Sequence, residues 1–163
     1  MSGMRAEAMT NMGSYYAYGD YGLPQNHAKA LDLWRRAGEL GYAQAYNNLG
    51  FAYSNGRGVD VDKKKAVHYY ELAAMMGSVH ARNNLGMIEK NAGNVDRAIK
   101  HCMISVRGGH TDSLERIKQL FKDGHATKEE YTAALQGYQE YLGEIKSSQR
   151  DQAAVVTDKY KYY

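Results

Sequence analysis

Apolar positions along the chain fall on a helical period. From Ala45 the stripe Ala45, Leu49, Ala52, Tyr53 advances by steps of 4, 3 and 1, which puts these residues on one face of an α-helix. Gly56-Arg57-Gly58 interrupts it, and a second stripe follows through Ala66, Val67, Tyr70, Ala73 and Ala74. Asp62 stands where an N-cap is needed, and Gly77 where a left-handed residue stops the helix. The pattern predicts a helix hairpin. Small residues at Gly50, Ala66, Ala73 and Ala74 allow the two helices to approach closely, while Leu49, Tyr53 and Tyr70 fill the space between them.

The hairpin recurs. Ala45, Asn47, Asn48, Leu49 and Gly50 return as Ala81, Asn83, Asn84, Leu85 and Gly86, an offset of 36, and Lys29, Ala30, Ala37 and Gly41 return at the same offset as Lys65, Ala66, Ala73 and Gly77. Upstream, Ala8, Gly13, Tyr16 and Gly19 match Ala45, Gly50, Tyr53 and Gly56 at 37, so the first loop is one residue longer. Downstream, Ala66, Gly77 and Leu85 match Ala98, Gly109 and Ile117 at 32. The offset changes only between helices, where insertions and deletions are tolerated. A weaker fourth repeat runs from Ser113, Ile117, Phe121 and Gly124 into Ala134 and Tyr138. Thr127-Lys128-Glu129-Glu130 is a capping-box pattern, and the helix it opens keeps apolar residues at Tyr131, Leu135, Tyr138, Tyr141, Leu142 and Ile145.

A period of this length marks a stack of hairpins that share one continuous core. The expected fold is all-α, a right-handed α/α solenoid of about four hairpins with a C-terminal helical cap. Its repeats are expected at about 6–41, 42–77, 78–109 and 110–145 within a domain of residues 1–145. Residues 146–163 are expected to continue as a polar helix that ends in a frayed tail beyond Val156. The chain opens almost at once into a repeat helix, which leaves room for a further repeat upstream of Met1.

Ala-x3-Leu-Gly-x2-Tyr-x2-Gly-x-Gly-Val-x2-Asp-x2-Lys-Ala-x3-Tyr-x2-Ala-Ala-x2-Gly, read from Ala45 to Gly77, resembles the Sel-one-like repeat (SLR), a relative of the tetratricopeptide repeat. The likeness covers roughly residues 6–145. The first repeat carries Trp34 at the Tyr70 position and a longer loop through Leu23-Pro24-Gln25. The third replaces the glycine loop with Asn91-Ala92-Gly93-Asn94, and has Glu89 where Tyr53 stood and Cys102 where Tyr70 stood. The resemblance implies a scaffold that assembles other proteins. Some secreted relatives are reported to hydrolyse β-lactams, which calls for a Ser-x-x-Lys arrangement that this chain lacks.

Composition narrows the function classes. With 44% hydrophobic and 24% charged residues the chain is expected to fold as an ordinary globular protein. A formal charge of +3 is too weak and too mixed to predict nucleic-acid binding. The first residues hold no apolar run of the kind a secretory leader needs, and no stretch reaches the length of a membrane span. Cys102 is the single cysteine, which excludes an intrachain disulfide and makes the cytoplasm the expected compartment.

The histidines His27, His68, His80, His101, His110 and His125 form no metal-binding spacing, and His101 and Cys102 point about 100° apart on one helix. Neither a metal nor a cofactor is expected, and Cys102 reads as an inert core thiol. Gly56-Arg57-Gly58-Val59 lacks the preceding strand and the following Gly-Lys-Ser/Thr of a phosphate loop, so it reads as an interhelical turn. Lys63-Lys64-Lys65 after Asp60 and Asp62 reads as a solvated helix start.

The excess is in tyrosine, 15 residues against 2 phenylalanines. Tyr16, Tyr53, Tyr70 and Tyr138 occupy repeat core positions, whereas Tyr42, Tyr46 and Tyr69 fall off the core stripes and are candidates for partner contact or for groove packing. Asn47 and Asn83, one repeat apart, form with Tyr46 and Arg82 a candidate polar ladder for an extended peptide; bonding to the neighbouring turn is the alternative. The function expected is a non-catalytic scaffold that grips a partner peptide or helix in a concave groove. A small hydrolase or ligand-binding protein with a pocket between hairpins, and a self-associating structural repeat protein, are the alternatives.

Overall fold

The structure, a computed structural model, describes residues 2–160. These form eight helices, with no strand among the described residues: α1 (Ser2–Tyr18), α2 (His27–Glu39), α3 (Ala43–Asn55), α4 (Lys63–Met75), α5 (Val79–Asn91), α6 (Val95–Arg107), α7 (Thr111–Lys122) and α8 (Lys128–Tyr160). A single 3-10 turn, Asp20–Gly22, lies in the longer first loop.

The expected signals set the helix ends. Asn26 and Asp62, equivalent residues of the first two repeats, each accept a hydrogen bond from the backbone N–H three residues on, at 3.0 Å from Lys29 and Lys65. Thr127 and Glu130 close the capping box in both directions, at 3.1 and 2.8 Å. Gly77 adopts φ +89° just past α4, a conformation in which a Cβ would be strained.

The chain divides into two compact units between Ile88 and Glu89, inside α5. The N-terminal unit contains the α1/α2 and α3/α4 hairpins and has an alanine-rich core. Into it two aromatic side chains are driven against glycines of the facing helix. A Cβ on Gly13 would lie 2.7 Å from the Trp34 indole, and one on Gly50 2.6 Å from the Tyr70 ring. Gly13 and Gly50, like Trp34 and Tyr70, are equivalent in the repeat, so the same knob fills the same notch twice. Trp34 also donates its indole N–H to the Thr10 carbonyl at 3.1 Å, which satisfies its one polar atom. Burial of each knob contributes about 1.5–3 kcal/mol.

The C-terminal unit contains α6, α7 and α8. Its core is aliphatic: Ile99, Cys102, Val106, Ile117 and Leu120, with Ala126 and Ala134. Cys102, at the Tyr70 position of the repeat, is fully buried. α8 is not stopped at Ile145 and runs on to Tyr160, so the polar extension is helical. The helix thus continues past Val156, where the tail is expected to fray, and Lys161 to Tyr163 lie outside the described residues. No helix among the described residues is long and apolar enough to cross a membrane.

Candidate functional site

The candidate ladder separates into two kinds of position. Asn47 and Asn83 are buried, 8% and 9% exposed, and Asn84 of α5 donates its side-chain amide to Asn47 Oδ1 at 3.1 Å. Asn47 therefore ties one first helix to the next, through a helix side chain and not through the neighbouring turn. Its neighbour Asn48 is half-buried. Along α3, Gln44, Asn48, Phe51 and Asn55 follow at steps of 4, 3 and 4; Gln44 and Asn48 bond at 2.9 Å, and Phe51 is 40% exposed. One repeat later, in α5, the equivalent positions are His80, Asn84 and Met87, and Met87 is 39% exposed.

The three tyrosines off the core stripes are not free surface. Tyr42, Tyr46 and Tyr69 are partly buried against the first alanine cluster. Tyr69 stacks between Tyr46 and Tyr53, with ring centroids at 5.9 and 5.6 Å. Burial raises the hydroxyl pKa of Tyr69 and Tyr46, the latter helped by the Glu39 carboxylate. Tyr46 fits because position 38 is glycine: a Cβ there would lie 2.5 Å from its ring. In the next repeat the equivalent pair is Ala74 and Arg82. Arg82, like Asn83, takes part in interactions of its own.

A second recurring pair marks the hairpin ends. Lys29 donates to the Tyr16 hydroxyl at 2.7 Å and lies 4.2 Å from its ring centroid, and Lys65 lies 5.1 Å from the Tyr53 ring. At the same repeat positions of the C-terminal unit stand Arg97 and Glu89, joined by an ion pair of 2.9 Å. Glu89 is legible in the sequence as a departure from the repeat, whereas its pairing with Arg97 is not.

One feature was not anticipated from the sequence. Arg57, in the loop after α3, sits over the rings of Tyr18 and Phe51, 5.0 and 5.4 Å from their centroids. With His27, Ala30, Leu31, Trp34 and Asn48 these residues enclose a void of about 20 Å³, room for one water molecule. Among the described residues no three His, Cys, Asp or Glu side chains come together as a metal would require. Burial pushes the Cys102 thiol up, away from the reactive thiolate, and Arg116 offsets this only in part.

Comparison with known proteins agrees with the repeat reading. The Sel1 repeat family model matches residues 6–42 and 43–78. A Sel1 repeat protein from Oxalobacter formigenes is 23% identical, with a TM-score of 0.68 over 88% of this chain and 58% of its own. A protective antigen of uropathogenic Escherichia coli strains, displaying an SLR fold, is 25% identical, with a TM-score of 0.69 over 85% of this chain and 30% of its own. These likenesses show the fold, a helical repeat solenoid, and this chain spans less than two thirds of either structure. No curated protein sequence matches.

Proposed function

We propose, from the premise that this chain is a Sel1-like repeat (SLR) protein, that it is a non-catalytic scaffold whose outward-turned first-helix face holds a segment of a partner protein. Sel1 repeat proteins are in general helical scaffolds for protein interaction. The observation that carries the finer reading is the recurrence, at one repeat's spacing within the N-terminal unit, of a half-exposed apolar side chain one turn on from an asparagine: Asn48 and Phe51, then Asn84 and Met87. The exposed apolar area at Phe51 and Met87 supplies affinity.

Within this reading Tyr42, Tyr46, Tyr69 and Arg82 shape the edge of that face, while Asn47 and Asn83 brace it from beneath. The partner is a protein and not a nucleic acid, since the small net charge gives little attraction for phosphate. A chain whose one thiol is buried and unpaired suits the cytoplasm. The test is site-specific photo-crosslinking in cells from positions 51 and 87, with exposed Glu71 on α4 as the control. The same protein captured at 51 and 87 and not at 71 is the expected result. Equal capture at Glu71 removes the assignment of this face.

A further inference from the structure

The Gly56-Arg57-Gly58 loop is built more rigidly than a connection needs. Gly56 and Gly58 both adopt φ +70°, and Arg57 N–H donates to the Ala52 carbonyl at 2.9 Å. A side chain on Gly58 would collide with His27 of α2, so the loop is locked against the preceding hairpin. The arginine itself is not explained by the repeat, because Asp20 holds the equivalent position in the first repeat. Arg57 is exposed, and its contacts with the Tyr18 and Phe51 rings use its charge without using its N–H donors. Among the described residues no carboxylate pairs with it. Tyr18 and Phe51 remain 52% and 40% exposed beside it.

A guanidinium held in place, with its donors unspent and apolar rings on either side, is complementary to a carboxylate that has an apolar neighbour. We infer that Arg57, Tyr18 and Phe51 form a subsite for an acidic side chain adjacent to, or one residue removed from, an apolar one in an extended partner peptide. This rests on the scaffold reading and names the partner chemistry at one end of the proposed face. The low cost of ordering Arg57, already fixed between two rings, favours a bound carboxylate over a solvated one. The apolar side chain gains by covering Phe51.

The subsite lies beside the only tryptophan of the chain, Trp34, so its single indole N–H resonance reports occupancy directly. The experiment selects 12-residue peptides from a displayed random library on the intact chain, then titrates the best synthetic peptide while following that resonance. Selected sequences are expected to share Asp or Glu near Leu, Ile, Met or Phe, and to shift the Trp34 signal. Arg57→Gln in the protein, or Asp→Asn or Glu→Gln in the peptide, is expected to weaken binding about tenfold or more, the loss of a charge-assisted hydrogen bond. Because Arg57 is exposed, unchanged circular dichroism and thermal unfolding show that the variant is folded. Selected peptides without an acid, binding by Arg57→Gln within twofold of the parent, an unmoved indole signal, or no enrichment at all would each overturn the subsite. The crosslinking at position 87, outside the subsite, then decides separately whether the scaffold reading survives.

Discussion

The two compact units reach a stable helix packing by different means. The N-terminal unit uses alanine almost throughout, which brings helix backbones close, and relies on one large ring per hairpin driven into a glycine notch. The C-terminal unit spreads the same role over Ile99, Val106, Ile117 and Leu120, so that at the ring's position a cysteine suffices. At the hairpin end the contrast repeats: a lysine over a tyrosine in the first, an arginine paired with a glutamate in the second. A core of small residues concentrates its stability in a few knobs, whereas an aliphatic core distributes it.

The comparison breaks most readily at the knob itself. Tyr70→Ala is expected to destabilise by about 3–5 kcal/mol, against about 1 kcal/mol for Cys102→Ala at the equivalent position, measured by urea unfolding. Equal losses at the two sites would show that the units do not differ in the way described. Alkaline pH sharpens the point. Burial pushes the Tyr70 hydroxyl up to about 12, above the value of roughly 10 for an unfolded tyrosine. The folded state therefore holds its proton while the unfolded state loses one, so the stabilisation is complete below about pH 10 and falls by about 2–3 kcal/mol as pH rises to 12. In Tyr70→Phe that part of the alkaline loss is expected to vanish, and a variant with the parent's pH profile would contradict it.

Gly50→Ala comes next. Its gain in helix propensity of about 1 kcal/mol is outweighed by collision with the ring, for a net loss of about 1–3 kcal/mol. In a Tyr70→Leu background the same substitution is expected to be neutral or stabilising, a coupling that a double-mutant cycle reads directly. The smallest effect is expected at the ion pair. Arg97 is mostly exposed, so Glu89→Gln is expected to cost about 0.5–1 kcal/mol, less in high salt. A loss above about 2 kcal/mol would mean that the pair carries the C-terminal unit and is no mere substitute for a lysine on a ring.

Much of the fold was legible because its rules are local. Asp62, Gly77 and the Thr127 capping box act within a few residues of themselves, and small residues returning at a fixed interval announce the stack. The site was legible only in part. Asn47 and Asn48 are adjacent, and one residue of helix turns the side chain by about 100°, so only the packing of the neighbouring repeat decides which of them is buried. The same holds for Tyr46, whose half-buried place depends on Gly38 having no side chain. Arg57 was read correctly as part of a turn, but its ring partner Tyr18 belongs to another hairpin, and no periodicity links the two.

The fit of Tyr46 over Gly38 bears on how such arrays grow. Residues 43–78 duplicated in tandem would set a copy of Tyr46 against Ala74, whose methyl occupies the volume that glycine leaves empty. Concatenated copies would clash at every junction unless Ala74 became glycine or the incoming tyrosine an arginine. The modules are thus not interchangeable building blocks, and their order along the chain is written into the matching of one small residue with the side chain that follows it.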